Sequence, residues 1–586
     1  MCAKAPVPAR RLNPARQATG QRPMRSWDAT VPEEGESIMP NRQRQPLSTG
    51  DALFLYLERE GQPINVGAAS VLEGRIRLKE CTAFIQSKLP AIPRYLQHVV
   101  TPPLNLGPPA WEYDPHFNIR NHVREITLKE GTDAELKAAA GTLLGSAMDR
   151  RRPLWDLTLV HGLRGNRTGM IIRIHHCLAD GVSGVGLLNA ILDTKPVKTR
   201  ISRGSKPLSV PSPEPESMSA LDGVLNSCLT IAKRAWTGGE ELLTLSREIL
   251  GTAMRPGSEG APASPETMDS TSAPAADALL EIANAAERLP FNVVCRGPRK
   301  FHWTEIPLAE IKAVKQACGT TVNDVFLAVV TLAVRRYAQL HRVPLPGRLL
   351  RIAVPVNVRG NNDVRELGNR ITFLPVAIPL DIDDPCRLLA EVHKRVAFSR
   401  GARLAELVSI FGTWLGTIPP ALQAILGPLA SQLPLSICNL ICTNVPGPQQ
   451  PLYMMGHKLL SCYPHVPIGG EMGMNCAVMT YNGTAFFGFS GDAHAIPDLE
   501  RLEKFVNDGF KKLRQAAGVP AARTRRSPPA PRPKRSPARV PSPPSKPPAS
   551  RAASQVGPAS AAPEPPAKPK AEPEREPNAL STAAGA

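Results

Sequence analysis

The strongest constraint on this chain is its alternation between two hydrophobic periods. Short aliphatic runs with strand character, WDLTLVHGL (155–163) and GMIIRIHH (169–176), are followed by a segment of helical spacing, VSGVGLLNAIL (182–192). The same alternation returns downstream. There VFLAVVTLAVRRYAQL (325–340) has helical spacing, while LLRIAVPVNV (349–358), ITFLPVAI (371–378) and GTAFFGFSG (483–491) have strand character. A chain that changes period this often must stack helices on sheets, which excludes a pure helical bundle and a pure β-sandwich. Between the two blocks lie Pro/Ser/Glu-rich stretches at 196–217 and 255–275, flanking an amphipathic helix candidate at 220–254. The expected organisation is two α/β halves, 46–195 and 289–518, joined by a linker with docked helices at 196–288.

The ends have a different composition. The chain carries 62 prolines and a formal net charge of +19; residues 519–586 hold 18 of the prolines, and the segments 1–45 and 519–586 hold 12 of the 19 net charges. Both ends read as disordered, because they offer too little apolar surface to offset the entropy of ordering. Met39 stands just before the first patterned segment. A charge of this size suggests a polyanion partner, but the tail RTRRSPPAPRPKRSPAR (523–539) has no aromatic residue to stack on bases. Nucleic-acid contact through it would be nonspecific and lost with salt. Attraction to anionic lipid, or a purely solubilising role, fits the charge as well.

Eleven cysteines, an odd number without a CxxC pair, support neither a disulfide framework nor a structural zinc site, so a reducing, cytoplasmic setting is expected. The N-terminal residues are basic but lack the apolar run of a secretory signal. No uninterrupted apolar run is long enough to span a bilayer. One region stands apart: from Leu407 to Gly456 there is no Asp, Glu, Lys or Arg. Pro419, Pro420, Pro428 and Pro434 divide it into short helices. Two readings remain open for it, buried core or an apolar surface that lies on a membrane or lipid droplet.

The sharpest local feature is HHCLADG (175–181), which closes a strand and opens a helix. Such a junction puts a side chain at the rim of a sheet, facing a cleft. A histidine there has a pKa suited to taking a proton from an alcohol at neutral pH. Asp180, four residues after His176, can fold back to hold the turn, and Gly181 suits a backbone angle that larger residues resist. A purely structural histidine pair is the bland alternative. Metal binding by His175, His176 and Asp180 is disfavoured, since adjacent side chains on an extended segment point to opposite faces. A Cys177 nucleophile is also disfavoured, because a sequence-adjacent histidine rarely has the geometry of its base. Upstream, LSTGDALFLYLE (47–58) places Ser48 as an N-cap, with Ala52, Leu53, Leu55 and Tyr56 as an apolar face.

HHCLADG matches the HHxxxDG motif of coenzyme-A-dependent acyltransferases, and a colinear series of motifs resembles the bacterial wax ester synthase/diacylglycerol acyltransferase family. The series comprises LSTGDALFLYLE, WEYDPHFNIRNHVR (111–124), DRRRPLWDL (149–157), HHCLADGVSG (175–184), TVNDVFLAVV (321–330), PVNVR (355–359), LGNRITFLPV (367–376), TNVPGP (443–448) and GGEMGMNCAVMTYNGTAFFGFSGD (469–492). Small departures are Thr443, where serine is usual, and Thr49–Gly50, where a proline-containing turn is commoner; the basic tail lies outside the pattern.

The resemblance implies an α/β, two-domain fold like that of chloramphenicol acetyltransferase, with mixed sheets and a channel between the halves. It also implies an O-acyltransferase that moves a long-chain acyl group from acyl-CoA to diacylglycerol or a fatty alcohol. His176 would be the general base, with His175, Asp180 and Gly181 shaping its loop. Pro153, Leu154 and Trp155 would pack beside the active-site strand, with Trp155 as core or as channel wall. Asn323 and Asp324 would cap a helix and support the catalytic half, and Asn444, Pro446 and Gly447 would form a shaped turn. Acyl-CoA is then a co-substrate, with no other cofactor and no metal, and the enzyme is expected at the inner face of the plasma membrane or on lipid inclusions. A condensation or polyketide-associated acyltransferase shares the histidine motif, but no carrier-protein segment is discernible.

Overall fold

The structure is a computed structural model that describes residues 44–178, 191–197, 286–357, 371–401, 418–430 and 438–521, plus the isolated positions 229, 236, 240, 404, 405 and 408. The linker helix candidate at 220–254, most of the helix at 182–192 and both ends lie outside the described residues. In chain order the strands are β1 (Gln45–Pro46), β2 (Asn65–Glu73), β3 (Gln97–Val100), β4 (Ala110–Tyr113), β5 (Val123–Thr127), β6 (Trp155–His161), β7 (Arg167–His175) and β8 (Arg299–Pro307). They continue as β9 (Leu349–Asn357), β10 (Ile371–Pro379), β11 (Leu440–Pro446), β12 (Tyr453–Met454), β13 (His457–His465), β14 (Met474–Tyr481) and β15 (Thr484–Asp492). The helices that matter below are α1 (Thr49–Leu57), α2 (Leu78–Lys88), α3 (Asp133–Leu144), α4 (Leu308–Ala317), α5 (Val322–Leu340), α6 (Pro385–Gly401), α7 (Pro420–Ala430) and α8 (Arg501–Ala516).

Two six-stranded sheets carry the fold, in the orders β12-β13-β2-β7-β6-β5 and β10-β9-β11-β14-β15-β8, beside a small β1-β4-β3 sheet. Both large sheets are mixed, as expected: β5 runs parallel to β6 in one, and β11 runs parallel to β9 and β14 in the other. The first sheet does not draw only on early residues. β13 pairs with β2, setting His465 opposite Gly67 and Cys462 opposite Ser70, so residues 453–465 complete a sheet otherwise built before residue 176.

The strand patterns translate directly into burial. β14 is buried along its whole length and β7 at every position after the first, which is why both read as continuous apolar runs rather than alternating ones. Helices α4, α5, α6 and α8 close one core over the second sheet, with Phe326, Tyr337, Phe487 and Phe510 among its members; α2 and α3 contribute to a second core over the first sheet. A third, smaller cluster joins Leu47, Ala52, Leu55, Tyr56, Trp111, Leu154 and Cys177. It fastens α1 to the end of β7, where the HHCLADG motif begins.

Two helix starts follow from their caps. Ser48 caps α1, its hydroxyl accepting from the Asp51 amide at 3.1 Å. Thr321 and Asp324 form a reciprocal capping box at the start of α5.

Candidate active site

His175 is the last residue of β7 and is fully buried. Its amide donates to the Leu154 carbonyl at 2.9 Å, so the Pro153-Leu154-Trp155 element fixes the strand end through its backbone. Its Nδ1 accepts the Cys177 amide at 3.2 Å, which leaves the ring proton on Nε2. That Nε2 lies 3.4 Å from Glu58 Oε1 at the C-terminal end of α1.

His176 follows in the turn. Its amide donates to the Ile64 carbonyl at 2.9 Å. Its ring stacks on Phe54 of α1, with centroids 3.9 Å apart and planes 20° from parallel. The adjacent histidines therefore meet different surroundings, a carboxylate for His175 and an aromatic face for His176. Asp180 and Gly181 lie outside the described residues, and so does the third ligand that the metal reading requires. Cys177 is buried, and burial pushes its thiol well above the usual range, so it does not supply a thiolate.

Glu58 is the acceptor at the centre of a cluster of donors. Its Oε2 accepts Nε and Nη2 of Arg150, at 3.1 and 2.7 Å, and its Oε1 accepts the Ile64 amide at 3.2 Å. Burial alone would raise its pKa, but the contacts with His175 and Arg150 outweigh burial and hold the carboxyl down to about 2. Behind the site, Arg173 of β7 pairs with Asp156 of β6 at 2.7–3.0 Å and donates to the carbonyls of Leu143 and Ser146. This buried pair ties the strand to the end of α3.

Pro153 and Leu154 are buried, and Trp155 is core. The Trp155 indole donates to the Tyr95 carbonyl at 2.8 Å and stacks on His122, 4.7 Å between centroids. Its other neighbours, including Ile85, Leu89, Ile92, Leu157 and Ile172, enclose a small apolar cavity, so Trp155 is both core and a cavity wall.

Asn323 and Asp324 are brought together with β11 and α6. The Asp324 carboxylate completes the cap and accepts His393 Nδ1 at 2.7 Å, while Asn444 of β11 reaches Asn323 at 3.5 Å. Of the pair expected to cap, Asp324 takes part, as the third residue of the helix in a box whose N-cap is Thr321, and a histidine backs it. Gly447 donates its amide to the Thr480 carbonyl at 2.9 Å, and a Cβ there would sit 2.4 Å from that oxygen, so only glycine allows this approach.

The reading of individual residues missed Phe54, Glu58, Arg150 and Arg173. Signals existed for the charged ones: a glutamate closing an apolar helix, and an arginine inside an otherwise aliphatic strand. Nothing local marked Phe54.

Comparison with known proteins supplies the family. The profile of the wax ester synthase/diacylglycerol acyltransferase catalytic domain matches residues 47–326, and that of the family's C-terminal domain matches 367–514. A Mycobacterium tuberculosis protein named as a diacylglycerol O-acyltransferase is 29% identical over 481 residues, covering 80% of this chain and 89% of that one. The tgs1 protein of the same species, named for the same activity, is 27% identical over 479 residues, covering 80% and 95%.

In structure, the chain is similar to the wax ester synthase/diacylglycerol acyltransferase of Marinobacter aquaeolei, with a TM-score of 0.55 and 24% identity over 81% of this chain and all of that one. It is also similar to the first condensation domain of the calcium-dependent antibiotic synthetase, with a TM-score of 0.50 and 15% identity over 82% and 97%. These structural likenesses establish a shared two-domain fold. The two profiles, which take in the motif loop and every strand of the two six-stranded sheets except β9, go further: the chain belongs to the wax ester synthase/diacylglycerol acyltransferase family.

Proposed function

We propose that this acyltransferase moves a long-chain acyl group from acyl-CoA to the hydroxyl of diacylglycerol or a long-chain alcohol, with His176 as general base. The observation that carries this reading is the placement of His176, anchored through its backbone at the end of β7 and stacked on Phe54. A ring nitrogen of His176 takes the hydroxyl proton as the oxygen attacks the thioester carbonyl. The tetrahedral oxyanion then collapses, the C–S bond breaks, and the proton passes to the departing thiolate to give free coenzyme A. Asp180 and Gly181 shape the loop, and Asn323 and Asp324 support the catalytic half from the start of α5. The transfer uses no cofactor beyond the acyl-CoA co-substrate.

The test is release of free coenzyme A from palmitoyl-CoA with hexadecanol or diacylglycerol as acceptor. His176→Ala should lower the rate by roughly 10²- to 10⁴-fold; an unchanged rate refutes the mechanism. Running both acceptors in parallel assigns the preferred one.

Both acceptors are insoluble in water, and we assign their source to a lipid surface that the enzyme contacts with one apolar patch. Half of the large apolar side chains exposed among the described residues, Leu104, Leu106, Leu422, Ile425, Leu426 and Leu429, belong to two neighbouring segments. One is α7, PALQAILGPLA, which carries no charge; the other surrounds the turn Pro103–Asn105. Leu104 holds a left-handed backbone (φ 55°) that is costly for leucine, while its side chain is 82% exposed.

The patch adjoins the site. Gly427 of α7 packs so closely on α1 that a Cβ would lie 2.6 Å from the Tyr56 carbonyl, and α1 presents Phe54 to His176. A peripheral seat of this kind needs no membrane-spanning element, and among the described residues no single helix is long and apolar enough to cross a bilayer.

A further inference from the structure

We propose that Glu58 is a positioning residue for the catalytic loop, holding His175 by charge and His176 through Ile64, with Arg150 as the anchor that keeps Glu58 in place. The inference rests on the reading of His176 as the base, which it deepens.

Three sets of contacts converge on one buried carboxylate. Its Oε1 faces His175 Nε2 at 3.4 Å and also accepts the Ile64 amide at 3.2 Å. The same Ile64 offers its carbonyl to the His176 amide at 2.9 Å. One oxygen thus faces the ring of the first histidine and, across a single residue, steadies the backbone of the second.

The other oxygen is gripped by two nitrogens of Arg150, whose Nη2 also donates to the Leu55 carbonyl at 2.8 Å and so closes the end of α1. The Glu58 side chain is 7% exposed. A carboxylate in that position is costly unless it is paired and hydrogen-bonded, and here the donors are two nitrogens of Arg150 and a backbone amide, with the His175 ring facing it. At 3.4 Å the His175 contact is electrostatic rather than a short hydrogen bond. The Cys177 amide selects the tautomer: it donates to Nδ1, so the proton sits on Nε2, toward the carboxylate.

The chemistry assigned to His176 requires its ring within a fraction of an ångström of the hydroxyl, and misplacement of about 1 Å costs on the order of a hundredfold in rate. α1 holds that ring twice, by the Phe54 stack and by the Glu58–Ile64 link. Glu58 itself need not touch substrate.

The experiment uses the full chain with two variants and two readouts. Glu58→Gln keeps the shape but replaces one acceptor oxygen with a donor, so it cannot serve Arg150, Ile64 and His175 together. Its kcat for coenzyme A release should fall roughly tenfold with KM for acyl-CoA changed less than twofold, and Glu58→Ala should lose roughly a hundredfold. A change confined to thermal stability, or a rise in KM at unchanged kcat, would overturn the positioning role.

The second readout is independent of turnover. In ¹⁵N-histidine-labelled protein, His175 should show the Nε2–H tautomer that the Cys177 amide sets, and Glu58→Gln, which takes the carboxylate away from Nε2, should move the Nε2–H resonance. If His175 is Nδ1-protonated in the wild type, or keeps its wild-type Nε2–H resonance in Glu58→Gln, the proposal fails even if His176 is the base. If instead His176→Ala retains activity while the Nε2–H result holds, it is the assignment of the base that fails and the brace that stands.

Discussion

Replacing Leu104 and Ile425 together with serine tests where this enzyme meets its lipid. These are the two most exposed members of the patch around α7, at 82% and 68%. Full burial of a leucine or isoleucine is worth roughly 1.5–3 kcal/mol, so their exposed portions would contribute about 2–4 kcal/mol in total on entering an apolar interface. At 1.4 kcal/mol per factor of ten, the double variant should partition roughly 30- to 1,000-fold more weakly onto vesicles of phosphatidylcholine and diacylglycerol.

Both side chains point to water in the free protein, so stability should stay within about 0.5 kcal/mol. Turnover of a short, water-soluble alcohol should also be preserved. The assay is co-sedimentation over a range of lipid concentrations, with that turnover measured on the same preparations. Vesicle binding equal to wild type would refute the assignment of this face. So would parallel loss of binding and of turnover on the soluble acceptor, since that would mean damage to the fold rather than to a docking surface.

Three further outcomes are expected. Phe54→Ala removes the ring stacked on His176; aromatic pairs of this kind are worth about 0.5–1.5 kcal/mol, so kcat should fall roughly 2- to 12-fold with Phe54→Leu between the two, and a wild-type kcat for Phe54→Ala would rule out the stack as an orienting contact. Arg173→Met leaves the buried Asp156 carboxylate with only the half-exposed Arg124 at 3.5 Å and takes one donor from each of two carbonyls at the end of α3, so urea unfolding should show a loss of about 3–5 kcal/mol that Asp156→Leu in the same chain partly restores; a loss below about 1 kcal/mol would refute the role given to this pair.

The third concerns acid. His465 is buried against Ser490 and Phe301, and burial lowers its pKa to about 3. The unfolded chain takes up a proton below about pH 6.5 and the folded chain does not, so stability should drop by about 1.4 kcal/mol per pH unit from 6.5 toward 3. His465→Asn should remove that slope between pH 6.5 and 5, an interval above the one in which Glu58 titrates. Glu58, with its carboxyl held at about 2, gives stability that is complete above about pH 4.5 and lost as pH falls toward 2. An unchanged slope in His465→Asn would show that other groups set the acid response.

The sequence by itself determined the local layers of this protein. Period-two and continuous aliphatic runs became β6, β7, β9, β10 and β15, the long helical run became α5, and Ser48 capped the helix it precedes, while of the two residues expected to cap α5 only Asp324 takes part, from inside the first turn and with Thr321 as the N-cap. These features were legible because each depends on residues a few positions apart, where side-chain period and caps act directly on the backbone. The ordered motifs, likewise, were enough to identify the family.

The tertiary structure decided what meets what. Only folding seats β13 on the edge of β2, since any strand with a free edge and matching burial could pair there. Only folding brings Phe54 onto His176, Glu58 between Arg150 and His175, and the uncharged α7 against α1 with its leucines outward. The two readings of the uncharged stretch also parted here: Leu440 and Cys442 entered the core while Ile425 stayed in water. A hydrophobic run states that its side chains would leave water, but whether a protein core or another apolar phase receives them depends on which elements the fold packs against it.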